Sequence, residues 1–210
     1  MVLPMRESTK IISSSVFAAM AAILALLPLS FPFPIITFLK FDFAEIPIVL
    51  ALLIYGFPPA LLATIVYWII LLAFGSFSPI GPSMRFLATL SMVLGLYAGY
   101  VMFREEKVEL NPSALPLVAG SIVGIIFRVL VMTLANYVVL IVLFPEFMGM
   151  AINDVCKALG WSFNSPEEEV FWVFAFIGIF NVLQSLLSIV PAALLVKAIV
   201  RSVKASRSSV

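Results

Sequence analysis

Histidine is absent from this chain of 210 residues, and cysteine occurs once, as Cys156. Histidine is the most common metal ligand and the usual general base near neutral pH, so most metal-dependent and acid–base active sites are excluded. A single thiol can form neither an internal disulfide nor a thiolate metal cluster. The sequence also lacks the phosphate-binding GxxxxGK[ST] loop and the HExxH motif. We therefore expect no cofactor, no enzymatic activity and no ATP-hydrolysing motor within the chain.

Charged residues are also scarce, at 11% of the chain, whereas 63% of the residues are hydrophobic. Soluble domains carry about 25% charged residues and about 45–50% apolar ones. A soluble chain with this composition would have too little polar surface to cover itself, and a lipid bilayer removes that requirement. The composition predicts one integral membrane domain over residues 1–210, multi-pass in a cell membrane. The net charge of +1 gives no indication of a nucleic-acid partner.

Six apolar segments predict an all-α membrane protein with six transmembrane helices. They cover residues 11–29, 41–55, 59–74, 83–103, 117–144 and 170–200. The GFPP motif at 56–59 separates the second helix from the third because adjacent prolines interrupt a helix. Both of these helices are short for a hydrocarbon core of about 30 Å. The acidic segment 145–169 is predicted to be a hydrophilic loop.

Lysine and arginine positions predict the orientation, because cytoplasmic segments are enriched in both residues. Basic residues occur before the first span and after the last one, which indicates two cytoplasmic termini. They are Arg6, Lys10, Lys197, Arg201, Lys204 and Arg207. An even number of spans also puts the cluster Arg104, Glu105, Glu106 and Lys107 inside, and segments 30–40 and 145–169 outside.

Polar residues inside apolar spans are candidates for a binding site. A central arginine such as Arg128 costs about 2.5–3.5 kcal/mol on insertion scales. It could contact a ligand, or it could be structural and bonded to helix ends or to a loop carboxylate. Asn136 lies two helical turns further along the same face, and Asn181 shares a face with Gln184. Carboxamides suit a heterocyclic ligand because they both donate and accept, although they also join helices to one another.

The segment KFDFAEIP at 40–47 places charges and aromatic rings where an outer loop enters the membrane. Together with Leu39, the residues Lys40, Phe41 and Asp42 could close over a planar ligand by stacking and hydrogen bonding. The alternative is an interfacial anchor, in which the charges reach the headgroups and the rings lie at the membrane surface.

Small residues form a stripe on the first span that lets another helix approach closely. They are Ser14, Ala18, Ala21, Ala22 and Ala25. The stripe could dock a partner protein or pack inside the bundle, and spacing alone does not distinguish the two.

Five motifs resemble the riboflavin-specific substrate-binding (S) components of energy-coupling factor (ECF) transporters. They are LKFDFAEIP at 39–47, GFPP at 56–59, PIGP at 79–82, TLANY at 133–137 and FN at 180–181. The resemblance implies six helices that bind riboflavin from outside and dock onto one transmembrane coupling subunit with two ABC-type ATPases. It also implies docking through AxxxA pairs, here Ala18 with Ala22 and Ala21 with Ala25.

The same resemblance implies a ligand capped by the loop after the first helix and contacted by Asn136 and Asn181. One departure is Gln184, where the family often carries lysine. Riboflavin remains the expected ligand, and binding of FMN in addition is left open. The alternatives are an S component for thiamine or pantothenate, a self-sufficient carrier, and a membrane enzyme using Arg128, Asp42 or Glu45.

Overall fold

The computed structural model describes residues 7–75, 77–103 and 114–208. The elements in chain order are α1 (Glu7–Leu26), β1 (Phe31–Pro32), β2 (Lys40–Phe41), α2 (Glu45–Tyr55), α3 (Phe57–Phe74), α4 (Ile80–Met102), α5 (Ala114–Tyr137), a π-helical segment (Val138–Leu143), α6 (Pro145–Leu159) and α7 (Pro166–Ser208). The two short strands pair antiparallel inside the connection between α1 and α2, which we call the α1–α2 loop (residues 27–44).

Five of the described helices are long and apolar enough to cross a membrane, which confirms the predicted helical membrane architecture. They are α1, α3, α4, α5 continued by its π-helical segment, and α7. Helix α2 is apolar but has only 11 residues. At about 1.5 Å per residue it covers about 16 Å, roughly half of the hydrocarbon core. The predicted span 41–55 therefore starts too early, because residues 41–44 belong to β2 and the bend that follows it.

The predicted break between the second and third helices is confirmed, and a single residue makes it. Gly56 has a φ of 91°, which a residue with a Cβ rarely adopts, and its amide still bonds the carbonyl of Leu52 at 2.9 Å. Pro58 lies in the first turn of α3, where a missing backbone N–H costs nothing.

The prediction of a loop over 145–169 is wrong for its first fifteen residues, which form the amphipathic helix α6. Met148, Ala151 and Val155 recur every three or four residues and are buried against the bundle. The helix ends at Gly160, whose φ of 68° is typical of a left-handed cap. Glu146 and Lys157 are exposed and Asp154 is half-buried, so the charges lie outside the buried stripe, which explains why the average polarity suggested a loop.

Helices α4 and α5 pack closely through two facing GxxxG motifs, Gly95 with Gly99 and Gly120 with Gly124. A Cβ added to Gly95 would lie 2.8 Å from the Cα of Gly124, and one added to Gly99 would lie 2.8 Å from the Cα of Gly120. Such distances are shorter than a real carbon contact, so only glycine fits at this crossing. The motifs therefore bring the polar residues of α4 next to those of α5.

Buried apolar residues form two clusters. The first joins α1, α2, α3, α4 and α7, and it includes Ile48, Tyr67 and Met92. The second joins the α1–α2 loop to α6 and α7. The small-residue stripe of α1 contributes to packing, since Ser14, Ala18, Ala21 and Ala22 are buried within this chain and Ala25 is half-buried. Arg6 and the predicted charge cluster at 104–107 lie outside the described residues.

Candidate functional site

A buried ion pair between Glu45 and Arg128 lies at the centre of the bundle. Glu45 begins α2 and Arg128 lies in the middle of α5; they are 5% and 3% exposed. The Nη1 atom of Arg128 donates to both carboxylate oxygens, at 2.8 and 2.7 Å. A charge buried at this depth is tolerated only when it is paired. Of the two interpretations of Arg128, the geometry matches a structural arginine paired with a carboxylate at the end of the loop.

Further side chains complete the hydrogen bonding of this pair. The hydroxyl of Ser188 donates to Glu45 at 2.7 Å, and that of Thr89 does so at 3.3 Å. The Nε atom of Arg128 donates to the Oδ1 atom of Asn181 at 3.1 Å. The network thus joins α2, α4, α5 and α7 through paired donors and acceptors, as buried polar groups require.

A second set of polar side chains lies beside the Glu45–Arg128 network and forms hydrogen bonds to Asp42, in the α1–α2 loop. The backbone N–H of Asp42 donates to Gln184 Oε1 at 3.3 Å, and Gln184 Nε2 donates back to the Asp42 carbonyl at 2.9 Å. The carboxylate of Asp42 accepts from the Ala44 amide at 3.0 Å and from the guanidinium of Arg85. Gln184 therefore bonds the loop backbone through both ends of its amide.

An aromatic cluster lies against this loop. The ring of Phe41 lies 4.9 Å from that of Phe180, and the ring of Phe33 lies 5.8 Å from both, measured between centroids. All three residues are buried. Leu39 is half-buried and Lys40 is exposed, so these two predicted site residues lie at the rim of the cluster. Phe180 directly precedes Asn181 in α7, so an aromatic ring and an amide group lie side by side at this position of the helix.

The predicted residues do not all meet at one point. Arg128, Asn181, Gln184 and Asp42 belong to the connected polar groups just described. Asn136 is buried two turns further along α5, where its Nδ2 atom donates to the carbonyl of Met132 at 2.7 Å. This bond uses the Nδ2 group, and Oδ1 is the acceptor end of the same amide. Asn136 thus has an acceptor that a ligand could use.

Arg85, Thr89 and Ser188 are members of the site that were not predicted from the sequence. A signal existed for two of them. Arg85 is a charged residue within a predicted span, and Ser188 follows Gln184 by four residues and so shares its helical face. The sequence pattern indicates Glu45 only as a charge that flanks aromatic residues or as a residue of an enzyme. Within the described ranges, no three acidic or thiol side chains lie close enough to hold a metal ion.

An open groove of about 560 Å³ lies between α5 and the start of α7. Its lining includes Leu134, Tyr137, Phe171 and Phe174, and it contains none of the predicted ligand residues. The exposed apolar side chains of this groove are typical of a surface that contacts lipid.

Comparisons with known proteins agree on one family. A family model described as the ECF transporter, substrate-specific component, matches residues 9–200. A riboflavin transporter RibU of Staphylococcus aureus (strain TCH60) is 29% identical over 150 residues, which cover 71% of this chain and 74% of that protein. A riboflavin transporter RibU of Streptococcus thermophilus is 26% identical over 185 residues, which cover 85% and 79%.

The fold has a solved counterpart. The structure of the S component of a bacterial ECF transporter superposes with a TM-score of 0.70 over 95% of this chain and 99% of the other. The two sequences are 23% identical, so this likeness is informative about the fold alone.

Proposed function

The chain belongs to the family of ECF transporter substrate-specific components. We propose that its substrate is riboflavin, captured from the outer side of the membrane. As such a component it is a membrane-embedded substrate-binding subunit of a transporter and not an enzyme. The proposal for riboflavin rests on one observation above all. Phe33 and Phe41 of the α1–α2 loop pack on Phe180, which directly precedes the buried amide of Asn181.

This arrangement suits a planar, polar-edged ring system. Aromatic faces bind such a ring by stacking, and a few carboxamides around it select its pattern of donors and acceptors. We assign stacking to Phe41, with Leu39 and Lys40 at the rim, and edge contacts to Asn136 and Asn181. Two relatives with matching sequences are named riboflavin transporters, which supports the same ligand class.

The remaining predicted site residues act on the ligand through other groups in this proposal. Arg128 already bonds Glu45 and Asn181, so its contribution is to orient the Asn181 amide and to neutralise the buried carboxylate. Asp42 and Gln184 bond each other across the loop, and they determine where the loop lies.

We further propose six membrane spans with both termini cytoplasmic. In this topology α2, extended by the preceding loop residues, crosses the membrane together with the five longer helices. The support is the basic residues near both ends, Lys10 in α1 and Lys197 and Arg201 in α7. Helix α6 and the α1–α2 loop then lie together on the outer side.

Transport requires a partner that hydrolyses ATP, and we propose the energy-coupling module of one transmembrane subunit and two ABC-type ATPases. Helix α1 is the proposed docking element. Because Ser14, Ala18, Ala21 and Ala22 pack inside the chain, a partner meets the opposite side of α1, where Ser15, Ala19 and Ile23 are exposed. Docking through the buried stripe itself would require α1 to separate from α2 and α3.

Ligand binding is tested by titrating riboflavin, FMN, thiamine and pantothenate into the detergent-purified protein and following flavin fluorescence or heat release. Saturable one-to-one binding of riboflavin at submicromolar concentration is expected. Binding of another vitamin in its place would remove riboflavin and leave the family assignment intact. Uptake into liposomes by this chain alone, without the energy-coupling module, would instead support a self-sufficient carrier.

A further inference from the structure

The α1–α2 loop is held at two separate places by side chains from elements far away in sequence. The inner place is Asp42, where Gln184 of α7 bonds both the backbone N–H and the backbone carbonyl. Gln184 is 3% exposed and comes from 142 residues further along the chain. Because the bonds go to the backbone, they fix the position of the loop and do not depend on the side chain at 42.

The outer place is Thr37, near the middle of the loop. One carboxylate oxygen of Asp154, in α6, accepts from the Thr37 backbone N–H at 2.9 Å and from its hydroxyl at 2.7 Å. Next to this contact the ring of Phe38 lies 6.2 Å from that of Phe147 in α6. Ile36, also in the loop, is fully buried in the cluster that α6 contributes to.

The two anchors differ in their access to water. The Gln184 bonds are buried, and the Nε2 atom of Gln184 also donates to Glu45 Oε2 at 3.5 Å and to Ser188 Oγ at 3.4 Å. The inner anchor therefore belongs to the buried polar network, where a low dielectric strengthens hydrogen bonds. Thr37 is exposed, and water can replace the bonds that its groups make to Asp154. The loop should therefore open first at Thr37 and turn about Asp42.

We propose that Gln184 and Asp154 are positioning residues for the α1–α2 loop, with Gln184 as a fixed hinge and Asp154 as a releasable catch. Neither residue touches the ligand in this proposal. The effect of the two residues on uptake rests on the proposed riboflavin function, whereas their effect on the mobility of the loop does not. When Thr37 bonds Asp154, the loop completes the aromatic cluster around Phe41. When this contact breaks, the cluster opens to the outer side.

The first test is amide hydrogen exchange of the full chain in lipid nanodiscs, without any ligand. In Asp154→Ala, exchange of residues 35–39 should be about tenfold faster, the effect of losing two hydrogen bonds, while residues 41–44 stay protected. In Gln184→Met, which keeps the length of the side chain, the loss of protection should include residues 41–44.

Matched variants distinguish the loss of an anchoring contact from a change in charge or in folding. Asp154→Asn retains an oxygen that can accept both bonds and should keep near wild-type exchange. Glu146→Ala removes the same charge from α6, and Ser185→Ala removes a helix-internal hydrogen bond one residue from Gln184; neither should change exchange in the loop. Thr37→Ala should add nothing to Asp154→Ala beyond the effect of the latter.

Riboflavin kinetics supply the second readout. Asp154→Ala should speed riboflavin association and dissociation by similar factors, about tenfold, with little change in Kd. The reason is that the loop must open at Thr37 before the ligand enters and before it leaves, and the variant makes this opening easier. Gln184→Met should mainly speed dissociation.

A wild-type exchange pattern in both variants overturns the proposal whatever the ligand. Weaker binding by Gln184→Met with an unchanged loop makes Gln184 a ligand contact and also overturns it. Failure of the wild-type protein to bind riboflavin refutes the proposed function, and the exchange data still decide the anchors.

Discussion

Glu45 and Arg128 are 83 residues apart in sequence, and their side chains meet in the interior at 2.7 and 2.8 Å. The pair joins the first turn of α2 to the middle of α5. It explains why a bundle so poor in charge keeps an arginine in the centre of an apolar helix, since the carboxylate supplies the counter-charge that the lipid cannot.

The first prediction concerns this pair. Arg128→Met leaves the Glu45 carboxylate buried and unpaired, and it should cost about 3–5 kcal/mol of stability. The double variant Glu45→Gln with Arg128→Met removes both charges and should be more stable than Arg128→Met alone. Thermal unfolding of the detergent-purified proteins measures the difference. If the double variant loses the sum of the two single effects, the two residues are not coupled.

The second prediction concerns the amides. Asn136→Ala removes the proposed ligand acceptor and one bond within its own helix, so it should weaken riboflavin binding about tenfold with only a small loss of melting temperature. Asn181→Ala should weaken binding and also reduce stability, because Asn181 bonds Arg128. Fluorescence titration and thermal unfolding separate the two effects.

The control for these variants is Asn153→Ala, the same chemical change at an exposed position of α6. It should leave both affinity and melting temperature unchanged. Unaltered binding by Asn136→Ala would take Asn136 out of the ligand site.

The third prediction concerns the glycine crossing of α4 and α5. In Gly95→Ala the new methyl would lie 2.8 Å from the Cα of Gly124, so the helices must separate, at a cost of about 1–3 kcal/mol. Gly178→Ala adds a methyl to another membrane helix, where the nearest side-chain atom is 3.9 Å away. That control should be neutral or slightly stabilising, since alanine favours the helix. Equal melting temperatures for the two variants would refute the close crossing.

The fourth prediction concerns docking. Ala19→Trp places a bulky side chain on the exposed side of α1 and should abolish riboflavin uptake with the energy-coupling module, while riboflavin binding by the purified chain persists. Ala18→Trp, at a fully buried position, should instead prevent correct packing of the bundle. Val118→Trp, exposed on α5, is the control and should leave uptake intact. Normal uptake by Ala19→Trp would show that the partner does not bind this side of α1.

Much of the architecture could be predicted from local properties. The long apolar runs predicted the membrane helices, because the thickness of the bilayer sets their length. The GFPP motif predicted the break between α2 and α3, because the restrictions of glycine and proline act on the residue itself. The motifs around Asp42 and Asn181 indicated the family, which the match over residues 9–200 confirms.

The partners of the polar residues could not be predicted in the same way. Arg128 was recognised as unusual, but nothing near it in sequence identifies Glu45 as its counter-ion. Arg85 and Asp42 likewise come from different elements, and the facing glycines of α4 and α5 become a contact only when the helices cross.

The sequence by itself determined that the chain is a bundle of apolar helices in a membrane, because hydrophobicity and chain breaks depend on neighbouring residues. The tertiary structure alone decided that Gln184 bonds the loop backbone, that α6 carries the aspartate that bonds Thr37, and that the stripe on α1 is buried. These features depend on which side chains meet across the bundle. Hydrogen bonds and ion pairs form over about 3 Å in space and are independent of separation along the chain.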